Sequence, residues 1–271
     1  MIMTDKFVDL EALNLRSSPN SSSTANRIAI LHLGQTVNEI GPNAGAPDWL
    51  DVEVVIDSVK KKGMVKAEID GLASLRDPVS NPAREALVAE AIKEWLRFEK
   101  GQGEENVVPF SDYVGQMWQA IGLKLNGKNR GVPWSAAAIS FMVRNAGDTF
   151  PKYKNFKFAP AHAEYMHDSV VKGKAKDTSA PFWGFRLYEK HPEIGDIVGK
   201  WREKPRDFHD IETRNDFKSH SDLIVSVRPD FVLAIGGNVG QSVNITRYDK
   251  TPSGFLAPTN NVIIHMVNQV P

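Results

Sequence analysis

The chain has 271 residues, with 33 basic and 33 acidic side chains and no formal net charge at neutral pH. Proteins that grip a phosphate backbone do so largely by charge neutralisation, so this balance argues against nucleic acid as a partner. The sequence contains no cysteine, which excludes disulfides, thiolate zinc sites, iron–sulfur clusters and a cysteine nucleophile.

The longest mostly apolar stretch, Val132 to Val143, is broken by Pro133, Ser135 and Ser140. It falls well short of the roughly 20 residues needed to span a bilayer. The chain starts Met1-Ile2-Met3-Thr4-Asp5-Lys6, with no apolar core behind a basic start, so no secretory signal is read. The expected location is the cytoplasm, or outside it by a signal-independent route.

From residue 7 to about 70 the pattern is β. Short apolar alternations, such as Ile28 to Leu33 and Val52 to Ile56, are separated by turn clusters at Ser17–Asn20, Gly41–Gly45 and Lys60–Gly63. About five short strands in this length predict a small all-β barrel. Asp77-Pro78-Val79-Ser80-Asn81-Pro82 then breaks the pattern, which places a domain boundary near residue 78 and gives domains of 1–77 and 78–271.

Beyond the break the period changes to helical. Leu87, Ala91, Trp95 and Phe98 form one stripe of a helix over Ala83 to Lys100. Further helices are predicted over Tyr113–Leu123, over Ser135–Asn145 with Gly147 as the C-terminal stop, and over His162–Val171. Strands follow at Asp196–Val198, Leu223–Val227, Val232–Ile235 and Ser242–Thr246. Helices first and strands afterwards predict an α+β domain with an antiparallel sheet.

Three segments could carry chemistry. In Val132-Pro133-Trp134-Ser135-Ala136-Ala137 the serine opens a helix of small residues. Unpaired N–H groups at that end favour negative charge on a nucleophile or an oxyanion, although an N-cap serine has the same signature. Ser219-His220-Ser221-Asp222 places a histidine at the edge of a core, with Asp222 on the same strand face. Gly236-Gly237-Asn238 ends a strand in a tight turn, where Asn238 could orient an imidazole or serve the turn alone.

Two other groups read as ordinary. His162 and His167 are five apart, not the four that would put two imidazoles on one helical face for a metal. His162 could instead line a cleft near Ser135. The cluster Lys172, Lys174, Lys176 reads as solvated surface.

Taken in order, Pro-Trp-Ser-Ala-Ala at 133–137, Pro-Glu-Ile-Gly-Asp-Ile-Val at 192–198, Ser-His-Ser-Asp at 219–222 and Gly-Gly-Asn-Val at 236–239 resemble the papain-like bacterial cell-wall hydrolases of the CHAP and NlpC type. The likeness is closer still to an uncharacterised bacterial family related to them. It covers residues 83 to 257 and implies a papain-like domain with Ser135 at the nucleophile position, in place of cysteine. His220 would be the base and Asn238 its orienting group, with Asp222 as a fallback. Trp134, His162 and Asp222 would contribute to binding.

Leu13-Asn14-Leu15-Arg16-Ser17-Ser18-Pro19, Leu33-Gly34-Gln35-Thr36-Val37, Trp49 and Gly63-Met64-Val65 resemble bacterial SH3 domains, which help such hydrolases bind the wall. Met64 stands where an aromatic is usual.

A serine hydroxyl does not ionise as a thiol does, so an imidazole must take its proton during attack. The implied function is hydrolysis of a cell-wall peptide or amide bond, with peptidoglycan or a peptide as partner and no metal or organic cofactor. The alternative is an inactive papain-like module that binds such ligands.

Overall fold

The computed structural model describes residues 4–271; the start of the N-terminal reading, Met1 to Met3, lies outside them. The chain divides into two compact units, with the division between Ser80 and Asn81.

The first unit is β throughout. Its strands are β1 (Thr4–Val8), β2 (Ala12–Arg16), β3 (Arg27–His32), β4 (Thr36–Asn43), β5 (Ala46–Ile56) and β6 (Val59–Lys66), then the two-residue strands β7 (Glu68–Ile69), β8 (Leu72–Ala73) and β9 (Leu75–Arg76). β7 and β8 pair only with each other, and the rest form one sheet in the order β3-β2-β6-β5-β4-β1-β9. The ladders run in an open order, and among the described residues none joins the outer strands β3 and β9.

Alternation puts Leu13, Leu15, Leu31, Val52, Val54 and Val65 into one buried cluster. The β5–β6 turn has Asp57 and Ser58 at φ of 49° and 64°, the left-handed pair that matches hairpin twist. Where β6 meets β2, a Cβ on Gly63 would lie 2.7 Å from the Arg16 carbonyl oxygen, so this position needs glycine. Trp49 is buried, and the sulfur of the half-buried Met64 accepts from the Asn43 amide at 3.5 Å.

The second unit carries helices α1 (Pro82–Arg97), α2 (Phe110–Gln119), α3 (Ser135–Thr149), α4 (His162–Lys174) and α5 (Phe208–Thr213). Its strands are β10 (Phe182–Phe185), β11 (Ile197–Trp201), β12 (Ser219–Val227), β13 (Phe231–Val239), β14 (Ser242–Asp249) and β15 (Val262–Asn268). They form one antiparallel sheet in the order β10-β15-β11-β12-β13-β14. The molecule is therefore mixed α and β with antiparallel sheets.

α1 starts because Asn81 caps it, accepting from the N–H groups of Ala83 and Arg84, with Pro82 in the first turn. Its stripe of Leu87, Ala91 and Trp95, continued by Phe98, is buried. α3 packs on α1, α2, β12 and β13, and α4 packs on β10, β12 and β15.

Two expectations are corrected. The turn read at Lys60–Gly63 is part of strand β6, paired along β5, and the chain reverses instead at Asp57 and Ser58. Gly147 does not stop α3, which continues to Thr149 with Phe150 as its C-cap. A Cβ on Gly147 would sit 3.2 Å from Lys154 and 3.6 Å from Tyr153, so the glycine admits the following segment against the helix.

The aspartate of Pro-Glu-Ile-Gly-Asp-Ile-Val is structural. Arg84 Nη1 donates to Asp196 Oδ1 at 2.8 Å, and Nη2 donates to the Asn268 carbonyl at 2.9 Å. His265 Nε2 lies 2.8 Å from the other Asp196 oxygen. This buried node ties α1, β11 and β15 together, and removing one partner from such a pair costs about 3–5 kcal/mol.

Candidate active site

Pro133 and Trp134 stop the chain from entering a helix any earlier, and the small residues behind them let α3 pack closely on the sheet. Ser135 is the first residue of α3, and Trp134, at the cap position, makes no side-chain capping bond. The first intrahelical N–H bond is Ala138 to the Trp134 carbonyl, at 3.0 Å. The amides of the first turn therefore point their partial positive charge out of the helix.

Trp134 holds this helix start in place. Its indole stacks on Phe98, with centroids 5.7 Å apart and an interplanar angle of 21°, and its Nε1–H donates to the Glu105 carboxylate. It is buried and does not line the cleft in front of Ser135. Packing is the role the structure gives it.

His162 is the first residue of α4, and its Nε2 lies 2.6 Å from Ser135 Oγ. On its other side Nδ1 is 2.8 Å from Ser221 Oγ and is also hydrogen-bonded to the Tyr165 hydroxyl. Tyr165 and Ser221 are themselves 2.7 Å apart. Burial first, then the charges of His220, Arg202 and Lys200, push the His162 imidazole well below its ordinary pKa, so it rests neutral. With its proton on Nδ1, shared with Ser221, Nε2 can accept the Ser135 hydroxyl proton.

His220 belongs to a second buried group. Its Nε2 lies 2.8 Å from Asp222 Oδ1, and Tyr248 donates to Oδ2 of the same carboxylate. Burial pushes the Asp222 carboxyl up, but His220, Tyr248 and Lys200 outweigh it and hold the group below the usual carboxylate range. The His162 and His220 rings are 5.1 Å apart between centroids, and His220 Nδ1 is buried without a hydrogen-bond partner.

The structure thus brings Ser135 to His162, and His220 to Asp222. Asn238 sits at a bulge of β13 with φ of 56°, and its side chain makes no hydrogen bond to His220. Gly236 is what admits Asp222, since a Cβ there would lie 1.6 Å from Asp222 Oδ1.

A cleft of about 850 Å³ opens in front of Ser135 and His162, with Pro133, Pro160, Arg202 and Lys218 among its walls. His167, the second histidine of α4, is elsewhere, its Nδ1 on the Ile211 carbonyl at 2.7 Å. Among the described residues no group of three or more acidic, histidine or cysteine side chains is arranged to hold a metal ion. No described helix is long and apolar enough to cross a membrane.

Sequence reasoning missed Tyr165, Ser221 and Tyr248. Tyr165 follows His162 by one helical turn, a spacing that puts both on one face, so that signal was present. The Tyr248 contact depends on the sheet order and left no local trace.

The family described as "Uncharacterized protein conserved in bacteria (DUF2272)" matches residues 103–268. No curated protein matches. Among solved structures, NlpC2 from Trichomonas vaginalis is similar over 100% of this chain and 74% of its own, with 10% identity and a TM-score of 0.32. NlpC1 from the same organism is similar over 99% of this chain and 69% of its own, with 10% identity and a TM-score of 0.27.

Proposed function

The chain belongs to the bacterial family DUF2272, and from the geometry within the matched region we propose that it hydrolyses a peptide or amide bond of the cell wall with Ser135 as nucleophile. The observation that carries this reading is the 2.6 Å contact between Ser135 Oγ and a neutral, buried His162 at the wall of an open cleft. Under it, residues 78–271 are a papain-like domain and residues 1–77 an SH3-like module that helps hold the wall.

Ser135 Oγ attacks the scissile carbonyl while His162 Nε2 takes its proton and gives it to the leaving amine; water, deprotonated by the same nitrogen, then cleaves the acyl-serine and the proton returns to Oγ. The N–H groups at the start of α3 receive the developing oxyanion. Ser221 and Tyr165 fix the His162 ring and share its Nδ1 proton. Asp222 is the one acid of the cluster, and its bond to His220 offsets the charge which that ring would otherwise set beside His162. The orienting role first assigned to Asn238 passes to these groups.

A second reading has its own observation. The unpaired His220 Nδ1, with Nε2 anchored on Asp222, is arranged as a base would be, and a rotated Ser135 would then use His220.

The test is digestion of purified peptidoglycan by the wild type and by Ser135→Ala, with products read by mass spectrometry. Cleavage by the wild type alone is expected. No cleavage by either protein, with both retained on the wall, would replace the hydrolase with a non-catalytic binding module.

A further inference from the structure

We propose that Arg202 is the recognition point for a substrate carboxylate, so that the cleft selects acidic peptides. This rests on the hydrolase reading and names its substrate class.

Four formally charged side chains other than histidine line the cleft: Arg202, Glu203, Asp216 and Lys218. Three already have partners. Lys218 Nζ is 2.6 Å from Glu203, and Asp216 is 2.6 Å from Arg214. Arg202 is exposed, and among the described residues its guanidinium makes no ion pair or hydrogen bond. It lines the cleft with its guanidinium donors left without a protein acceptor.

Strand register explains how it came there. β11 and β12 pair with Lys200 opposite His220, and the Arg202 N–H donates to the Lys218 carbonyl at 2.8 Å. Opposed residues and residues two apart share a face. Lys200, Arg202, His220 and Lys218 therefore share one side of the ladder, and at its end Arg202 and Lys218 reach the wall of the cleft that Ser135 and His162 also line. Lys200 is engaged over the Tyr248 ring, 5.3 Å from its centroid. The free cation is the outermost of the row, where a bound peptide would pass.

A guanidinium suits a carboxylate because its planar fork gives two parallel N–H bonds. The neighbouring pairs sharpen the choice. Glu203 and Asp216 repel a second anion unless it sits on Arg202, so one carboxylate at one position is favoured over a polyanion.

The test is binding, measured on Ser135→Ala so that turnover plays no part. The probes are soluble peptidoglycan stem peptides, with their carboxylates intact or converted to carboxamides. Intact peptides should bind about tenfold tighter. Arg202→Gln in the same background should erase the difference, and Arg202→Lys should keep part of it. Equal affinity for both probes, binding of neither, or a preference that survives Arg202→Gln would overturn the proposal. Peptidoglycan digestion by the protein with Ser135 intact reports separately on the hydrolase. Its failure alongside an Arg202-dependent preference would remove the catalysis and leave the carboxylate site.

Discussion

Ser135 and His162 are each the first residue of a helix, and those two helix starts meet with Oγ and Nε2 at 2.6 Å. The two side chains are therefore positioned by backbone that packing holds on both sides, rather than by loops. This also separates the roles of the two histidines.

His162→Ala should lower peptide hydrolysis by about a thousandfold or more, the scale expected when a general base is lost. His220→Ala should act mainly on stability, because it strands the fully buried Asp222, at about 3–5 kcal/mol. Rates and thermal midpoints of both variants check this. The reverse pattern, with His162→Ala active and His220→Ala folded but dead, would make His220 the base.

Ser135→Cys gives a sharper view of the helix start. A free thiol has a pKa near 8.5, lowered at a helix N-terminus beside an imidazole. The variant should be alkylated by iodoacetamide at pH 7 at least about tenfold faster than an unperturbed cysteine. Ordinary reactivity would mean that the first-turn amides and His162 do not act on this atom.

How much of this was open to reading from the chain alone varied with distance. Ser135 was legible because Pro133-Trp134 and the alanines behind it are local signals for a helix start. Asp222 was legible as the partner of His220 because it lies two residues further along one strand. The Ser135–His162 contact spans 27 residues and the Tyr248–Asp222 contact spans 26, and both depend on how helices and strands return. Asn238 drew attention through its glycines, whose purpose is the room they make for Asp222 and Trp134.

That room gives a third prediction. Gly236→Ala would put a methyl 1.6 Å from Asp222 Oδ1, and Gly237→Ala would put one 2.3 Å from Ala138 and 2.7 Å from Trp134. Each should lose at least about 2 kcal/mol by overpacking, and Gly236→Ala should lose more by displacing the His220 partner. Chemical denaturation measures both. A Gly236→Ala protein of wild-type stability would mean that the Asp222 pair is not as close as described.

Glu94 supplies a pH dependence away from the site. Its side chain is fully buried on α1, and neither carboxyl oxygen has a hydrogen bond of good geometry, although Arg97 Nη2 is 2.8 Å away. Burial pushes its pKa up to about 7, with Arg97 and Lys93 pulling down and Glu90 adding to the rise. A folded value above the unfolded one means a contribution that is full below the unfolded pKa and lost as pH rises through 7. The full shift is on the order of 3 kcal/mol. Glu94→Gln should flatten the stability profile between about pH 5 and 8. An unchanged slope would assign that dependence to other groups.

The position of β15 has a bearing on how the second unit comes together. This strand lies between β10 and β11, and Asn268 and Val270 beside it bond back to Arg84 and Asn81 at the start of α1. Closing so long a stretch of chain comes late and slowly in folding. Until β15 arrives, β10 and β11 present open edges, and the sheet against which α3 and α4 are held is incomplete. A chain without β15 in place would carry Ser135 and His162 without the completed sheet behind them.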